Sequence, residues 1–171
     1  MGNVISFSQS PLTPFLGKWV RDPISVSRNK VARRTLGDDG LKKLWACGSM
    51  QESLQCLEED PALAEKYQAL LQIGGLGGQS DIEITLRTMV WNNSATGPNS
   101  IKTSVSQVIK VSAEGRKVIV ESISLRAGAP DRHIGYVLRM SKQWLLVSER
   151  YYGAQARLLP RSPVFRYYRP V

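Results

Sequence analysis

The sequence predicts an α+β domain: an antiparallel sheet of about five strands, two or three helices packed on one face of it, and an extended N-terminal arm. Three observations predict this class. Helix-start signals cluster within residues 39–73, apolar and polar residues alternate along most of residues 81–150, and turn-forming residues separate the alternating segments at hairpin spacing. The chain of 171 residues, 42% of them hydrophobic, suits one globular domain and is short for two.

We therefore divide the chain at its first strong turn. Residues 1–36 contain three prolines and keep neither a helical nor an alternating period, so we expect a flexible basic arm there. A turn over residues 37–40 begins the single domain, residues 37–171. Its last stretch, residues 151–171, is predicted to be a tail rich in arginine and tyrosine.

Capping patterns mark the helices. A helix is predicted over Leu41–Cys47, directly after the turn that begins the domain. Ser49, followed three residues later by Glu52, has the form of a capping box. Asp60 before Pro61 puts an N-cap residue and a proline in the positions that each prefers at a helix start. These signals predict three short helices in succession.

The strands are predicted from alternation of apolar and polar side chains, which is typical of strands with one buried face. The alternating segments are residues 81–90, 101–111, 117–125, 133–140 and 143–150. Because short turns connect most of them, we expect antiparallel hairpins.

The charge of the chain indicates what it binds. Basic residues outnumber acidic ones by 23 to 14, which gives a formal net charge of +9. Such an excess favours a polyanionic partner: nucleic acid, an anionic membrane surface, or both. One histidine and two cysteines nearly exclude an ordinary zinc site and leave little for a cysteine–histidine nucleophile pair. We therefore predict a binding protein, not an enzyme, without catalytic residues, metal, cofactor or small-molecule substrate.

The two cysteines, Cys47 and Cys56, provide no disulfide framework, which is typical of a reducing compartment. We interpret them as small buried hydrophobic residues. No apolar run approaches the roughly 18 residues that a transmembrane helix needs. The expected location is cytoplasmic and peripheral to a membrane.

The first six residues match the N-myristoylation pattern, with Gly2 as the acylated residue. One acyl chain anchors weakly, and a basic cluster with nearby aromatic side chains would supply the second signal. The predicted membrane-binding residues are Phe7, Phe15, Trp19, Arg28, Lys30, Arg33 and Arg34. The alternative is an unmodified arm whose Trp19 packs on the core.

The C-terminal tail has no acidic residue after Glu149, and its arginines alternate with aromatic residues. Arginine binds phosphate and aromatic rings stack on bases, so this mixture suits single-stranded RNA. The predicted polyanion-binding residues are Arg150, Arg157, Arg161, Arg166, Arg169, Tyr167 and Tyr168. A membrane interface and a contact between subunits would use the same residue types.

Charge also suggests self-association. Residues 44–80 carry one lysine against five acidic residues, whereas both ends of the chain are basic, so copies can pair head to tail. The predicted contact residues are Leu12, Phe15, Leu16, Glu58 and Glu59. The alternative is that the acidic side chains only solvate a helix face.

The order of elements over residues 36–152 resembles the core of rhabdovirus-type matrix proteins. The resemblance comprises a basic arm, a helical segment that ends in a glycine-rich break, the strand 82–91 followed by Asn92-Asn93, and the hairpin 135–147. It implies a peripheral membrane protein that self-associates and links the viral ribonucleoprotein to the envelope during assembly and budding. The implied partners are an anionic membrane, other copies of the chain, and viral nucleocapsid or RNA, and the implied location includes the virion.

Two features depart from that family. The chain has no PPxY or P[ST]AP late motif, and its one YxxL match, residues 67–70, falls on a predicted helix. An acylated Gly2 is also unlike the many matrix proteins of this type that reach the membrane through basic residues. Two alternatives are an RNA-binding viral accessory protein, acting as a silencing suppressor or nucleocapsid-associated factor, and a myristoylated cellular adaptor.

Overall fold

The described residues form a closed antiparallel β-barrel of eight strands with three helices between its first and second strands. The computed structural model describes residues 10–25, 30–74, 79–94, 101–124, 132–153 and 162–170. Strand order around the barrel follows chain order, and the last strand pairs with the first to close it.

The barrel is a simple up-and-down meander, in which each strand pairs antiparallel with the next. Its strands are β1 (Gly17–Arg21), β2 (Gln79–Ile84), β3 (Thr88–Ser94), β4 (Ile101–Glu114), β5 (Lys117–Ser124), β6 (Arg132–Ser141), β7 (Trp144–Tyr151) and β8 (Phe165–Tyr168). The helices are α1 (Lys30–Trp45), α2 (Met50–Glu59) and α3 (Pro61–Gly74), and a 3-10 turn, Thr13–Phe15, precedes β1.

The predicted open sheet of about five strands with an extended arm is wrong. The segment predicted as the first strand is two strands, β2 and β3, joined by a turn in which the Thr85 hydroxyl accepts the N–H of Thr88 at 3.0 Å. β1 and β8 come from segments predicted as arm and tail, and they pair at Val20 with Tyr168 and at Arg21 with Tyr167. Closure removes both exposed edges of the sheet.

The predicted starts of α2 and α3 are confirmed. Ser49 Oγ accepts the N–H of Glu52 at 3.1 Å, and Asp60 Oδ1 accepts the N–H of Leu63 at 3.1 Å. The Glu52 carboxylate reaches back to the N–H of Gly48, at 2.7 Å. Each bond satisfies an N–H that the first helical turn leaves unpaired.

The helix α1 is longer than predicted, beginning at Lys30 and ending at Trp45. It contains Gly37, whose φ of 78° is non-helical and joins two helical stretches across a kink. Glycine adopts this left-handed conformation without the clash that a Cβ would cause. The turn predicted at residues 37–40 is therefore a bend within the helical segment.

The molecule has two hydrophobic cores. The barrel core comprises Leu12, Phe15, Trp19, Ile82, Ile84, Met89, Val118, Val120, Ile134, Tyr136, Leu138, Leu145, Val147 and Tyr167. The helical core comprises Ile24, Ala32, Leu36, Leu41, Leu44, Leu57, Leu63, Tyr67 and Leu70. The helices thus bury their apolar faces largely against one another, as neighbours in a small bundle do.

A buried arginine ties the two cores together. Arg166 lies on the outer face of β8, is 2% exposed, and donates to Asp22 Oδ2 at 2.6 Å. Its other nitrogens donate to the carbonyls of Leu44 (2.9 Å) and Trp45 (2.8 Å), at the end of α1. The guanidinium also lies 3.8 Å from the ring centroid of Trp144. Cations are favourable at helix C-termini, so this pairing fixes α1 on the barrel.

Candidate ligand site in the barrel

The two ends of the barrel differ. We call the end where the 3-10 turn meets the start of β1 the floor. We call the opposite end the mouth; there β1 ends at Arg21, β7 ends at Tyr151 and β8 begins at Phe165. Alternate residues of each strand point into the barrel, so Trp19 and Arg21 share the inner side of β1.

The floor is closed by packed side chains. Leu12 and Phe15, both buried, cover it from the 3-10 turn, and the indole nitrogen of Trp19 donates to the Phe15 carbonyl at 2.9 Å. Arg169, which follows the last residue of β8, extends across these floor residues and donates to the carbonyls of Leu16 (2.9 Å) and Pro14 (3.2 Å). Its guanidinium stacks 4.0 Å from the ring centroid of Trp19.

The inward-facing side chains at the mouth are not buried. Their inner position follows from their register with core residues: Trp91 lies opposite the core residue Ile82, and Ser104 lies opposite Trp91. The described inward-facing residues at this end that remain exposed or half-exposed are Arg21, Trp91, Ser104, Ser124, Arg132, Glu149, Tyr151 and Phe165. Residues that point into a closed barrel yet contact solvent indicate that its lumen opens at this end.

Two described arginines face the mouth, Arg21 from β1 and Arg132 from β6, and the contacts of Arg21 are the better defined. Arg21 Nε and Nη2 both donate to the hydroxyl of Tyr167, at 3.3 and 3.0 Å. Its guanidinium lies 4.5 Å from the ring centroid of Phe165 and 5.6 Å from that of Tyr167. Aromatic faces stabilise a cation through their quadrupole but carry no formal charge. Among the salt bridges between described residues, none involves Arg21.

The wall formed by β6 and β7 carries a carboxylate and two tyrosines. The Tyr151 hydroxyl donates to Glu149 Oε2 at 2.5 Å. Burial, and to a smaller extent the Glu149 charge, raises the pKa of Tyr136 to about 12, while a hydrogen bond to Ser106 acts in the opposite direction. The ring centroids of Tyr136 and Trp91 lie 4.6 Å apart. Aromatic surface and hydrogen-bonding groups therefore meet at one level of the lumen.

Several sequence-predicted site residues lie inside the protein. Leu12, Phe15, Trp19, Arg166 and Tyr167 are buried, and Leu16 is half-buried. The buried side chains form the floor, the core and the link to α1, and Leu16 packs against the barrel core.

Other predicted residues lie on the surface. Lys30, Arg33, Arg34, Glu58 and Glu59 are exposed on α1 and α2. Half-exposed Arg150 donates to Glu114 at 3.4 Å, and half-buried Tyr168 lies edge-on to Trp144. Arg169 is exposed, but its guanidinium is bound to the floor by the hydrogen bonds to Leu16 and Pro14 and the stacking on Trp19 described above; we call these contacts the floor clamp. Outside the described residues are Gly2, Phe7, Arg28, Arg157 and Arg161.

Sequence reasoning did not identify Arg21, Trp91, Tyr136 or Glu149 as site residues. The signal for Arg21 was present, because it is two residues after Trp19 in a segment that alternates. Alternation places Arg21 on the same side as Trp19 only if the segment is a strand. The residues between Gly17 and Asp22 are too few for the sequence to predict one.

No family model, curated protein or solved structure matches this chain. Within the described ranges, no helix is both long and apolar enough to cross a bilayer. The same residues contain no group of three metal-ligating side chains. The assignment of a function therefore depends on the geometry of the barrel itself.

Proposed function

We propose that the barrel binds one small amphipathic ligand whose anionic group pairs with Arg21 at the mouth. The observation that carries this proposal is the environment of Arg21. Its guanidinium points into the lumen between aromatic rings, and the described residues supply a neutral tyrosine hydroxyl but no carboxylate within salt-bridge distance.

A partly desolvated charge without a counter-charge is costly, and an anionic ligand would remove that cost. Guanidinium has five N–H donors in a planar fork, which matches a carboxylate, sulfonate or phosphate group. Hydrogen bonds to charged groups contribute about 1.5–3 kcal/mol each, more than neutral ones. Arg21 would therefore contribute both affinity and orientation.

The walls of the mouth suit the apolar part of such a ligand. Trp91, Tyr136, Tyr151 and Phe165 provide aromatic surface around the lumen. Eight-stranded barrels either fill with side chains or hold one small ligand, as lipocalins do. Here the floor half is filled by buried residues, so the ligand occupies only the mouth half and is correspondingly short.

Glu149 gives the site a direction. Its carboxylate, on the β7 wall, repels an anion and accepts hydrogen bonds, as it already does from Tyr151. The ligand's anionic end is therefore expected at Arg21, and a hydroxyl or amine group, where the ligand has one, at Glu149.

The proposal is tested with two probes that share their rings and differ in charge. Anilinonaphthalene sulfonate is anionic, whereas N-phenyl-1-naphthylamine lacks the sulfonate. Both gain fluorescence in an apolar site. Arg21→Gln is expected to raise the Kd of the sulfonate probe about tenfold or more and to change that of the neutral probe by less than about twofold.

Arg139→Gln is the matched control, because Arg139 is exposed on the outer side of β6 and should leave both affinities unchanged. The proposal is contradicted if neither probe shows saturable binding. Equal weakening of both probes by Arg21→Gln also contradicts it, because the loss would not depend on the ligand's charge.

A second candidate function is attachment to an anionic membrane, as the sequence predicts for a matrix-type protein. The observation that favours it is the exposure of Lys30, Arg33 and Arg34 at the start of α1; Arg33 pairs with Asp38 at 3.2 Å, but both side chains are more than half exposed. Each basic residue held near anionic lipid contributes about 1 kcal/mol.

Vesicle co-sedimentation with and without phosphatidylserine tests this candidate. Replacing Lys30, Arg33 and Arg34 by glutamine should abolish charge-dependent binding, whereas Arg139→Gln should not. Retention of full binding by the triple variant contradicts it. The RNA-binding, self-associating and adaptor roles, and the absence of enzymatic activity, stay predictions from sequence.

A further inference from the structure

A surface groove of about 650 Å³ lies between α2 and the floor end of the barrel. Two exposed apolar side chains line it from its two sides: Leu54 of α2 is 51% exposed, and Met140 of β6 is 39% exposed. Met50, at the start of α2, and Tyr168 of β8 also line it. Large apolar side chains that contact water at one place are typical of a surface that an assembly covers.

The charged side chains that line this groove in the described part of the chain are basic. They are Lys142, in the turn between β6 and β7, and Arg169. The Arg169 guanidinium is held in the floor clamp, whereas Lys142 is exposed and takes part in no salt bridge between described residues. The groove therefore favours a partner that brings an apolar side chain together with a carboxylate.

The fold places Lys142 at one end of the groove. The N–H of the next residue, Gln143, donates to the Gly48 carbonyl at 3.1 Å, which fixes the turn beside the start of α2. A Cβ on Gly48 would lie 2.6 Å from the Lys142 Cδ, so the lysine stem lies against bare glycine backbone. Lys142 also has a φ of 52°, a left-handed conformation that asparagine and glycine adopt more readily than lysine. The turn thus holds a cation where asparagine would suit the backbone better.

The exposed side of α2 carries the complementary charge. Leu54 and Glu58 are four residues apart, so they lie on the same side of the helix, about 6 Å apart along its axis. Glu58 is exposed and, like Lys142, forms no salt bridge between described residues. This side of α2 therefore presents the two groups that suit the groove, a leucine and a carboxylate one turn further along.

We propose that this groove is an interface between two copies of the chain, related by a two-fold axis that passes near Leu54. The two α2 helices then run antiparallel, and Leu54 of each copy packs against Met140 of the partner subunit. An antiparallel pair centred on Leu54 brings Glu58 of one copy opposite Met50 of the partner subunit, at the end of the groove where Lys142 lies. Each contact occurs twice, because such an interface uses the same surface on both copies.

This contact differs in kind from the one that the charge distribution of the sequence suggested. Head-to-tail pairing of the acidic segment with the basic ends is heterologous and leads to open polymers, whereas the two-fold contact closes as a dimer. The groove is small beside a standard interface, which buries about 800 Å² per partner. We therefore expect a weak dimer, with a Kd between about 10 µM and 1 mM.

Sedimentation equilibrium of the full chain, from about 10 µM to about 1 mM, measures this dimer. Leu54→Arg should raise its Kd about a hundredfold or more, because it removes the apolar contact and adds a cation to a basic groove. Lys142→Glu and Glu58→Lys should each raise the Kd about tenfold. The variant that carries both changes should return to within about threefold of the parent, because the ion pair is restored with its signs exchanged.

Matched controls change charge without touching the groove. Glu59→Lys and Lys66→Glu alter the net charge by the same amounts at exposed positions that do not line the groove, and should leave the Kd within about twofold. All runs contain a reducing agent, because Cys47 and Cys56 are free and half-exposed, and not buried as the sequence predicted. Disulfide-linked pairs are thereby excluded.

Lys142→Asn separates the interface from the fold. Asparagine suits the left-handed position of the turn, so urea unfolding of the monomer should show stability equal to or above that of the parent, while the dimer Kd should still rise about threefold or more. A monomer at every concentration, an unchanged Kd in Leu54→Arg, or no recovery in the double variant would each overturn the proposal. Leu54-dependent binding of a protein that stays monomeric to phosphatidylserine vesicles would also overturn it and assign the groove to a membrane.

Discussion

The floor and the mouth of the barrel are built by the same eight strands, yet their inner surfaces are opposite in character. At the floor, inward-facing residues such as Trp19, Ile84 and Leu138 are at most 1% exposed. At the mouth, Arg21 and Glu149 point inward and remain in contact with solvent. The difference indicates that the floor stabilises the fold, while the mouth carries groups that a folded core would not need.

Two neighbouring arginines make the same point. Arg166, on the outer side of β8, is neutralised by Asp22 and also bonded to two carbonyls. Arg21, on the inner side of β1, bonds only one tyrosine hydroxyl among the described residues. The Arg166 guanidinium therefore has its hydrogen-bond partners within the protein, whereas the Arg21 guanidinium has N–H donors that can bind an anion.

The largest expected effect is on the free energy of unfolding, and it should differ between the tryptophan at the floor and the tryptophan at the mouth. Trp19→Ala should lower the free energy of unfolding by about 3–5 kcal/mol, because it removes a fully buried ring and a hydrogen bond at the floor. Trp91→Ala, at the mouth, should cost less than about 2 kcal/mol while weakening the naphthalene probes. Urea unfolding measures the first effect, and fluorescence titration the second.

These two variants test whether the floor and the mouth really differ in their contribution to stability. If Trp91→Ala destabilises the protein as much as Trp19→Ala does, the mouth is a structural core like the floor. If Trp19→Ala leaves stability unchanged, the floor does not have the role assigned to it.

The second prediction concerns alkaline pH and the mouth tyrosine. Because the pKa of Tyr136 is raised from 10.0 to about 12 in the folded state, the unfolded chain releases this proton first as pH rises. Stability present below pH 10 is therefore lost between about pH 10 and 12, by about 1 kcal/mol at pH 11 and up to about 2–3 kcal/mol beyond. The Tyr136→Phe variant should lose less stability over the same pH range, because it lacks this ionisable group.

Urea unfolding of both proteins at about pH 8 and about pH 11 measures this difference, with the value at pH 8 as each protein's own reference. Parallel losses in the two proteins would show that Tyr136 does not ionise differently on unfolding.

The smallest effect tests the clamp on the floor. Arg169→Met should lower the free energy of unfolding by about 1 kcal/mol, because it removes two hydrogen bonds to backbone carbonyls and the stacking on Trp19. The exposure of Arg169 keeps the loss modest. Arg139→Met, on the exposed outer wall, should change stability by less than about 0.5 kcal/mol; equal effects of the two variants would remove the clamp's role.

Much of the secondary structure was predictable. The caps at Ser49 and Asp60 and the alternation along β4 to β7 depend on residues close together in the chain, so they can be read without the fold. The barrel was not predictable in this way. β1 and β8 are only five and four residues long, and they are held as strands by pairing with β2, with β7 and, across most of the chain, with each other.

The candidate site was less accessible still. It consists of side chains from β1, β3, β6, β7 and β8, brought to one level only when the barrel closes. The predicted arm and tail drew attention to Trp19, Arg166 and Arg169 as surface groups, because basic and aromatic residues suit both a polyanion site and a buried clamp. Burial decides between these roles, and it is not a property of the local sequence.

The sequence by itself determined the helix starts, the alternating strand segments and the excess of basic charge, because these features depend on residue type and near-neighbour spacing. Only the tertiary structure decided that the sheet closes and that Arg166 is enclosed while its neighbour Tyr167 faces the lumen. The physical reason is that adjacent strand residues point to opposite sides, so the side each one takes is set by pairing register across the barrel.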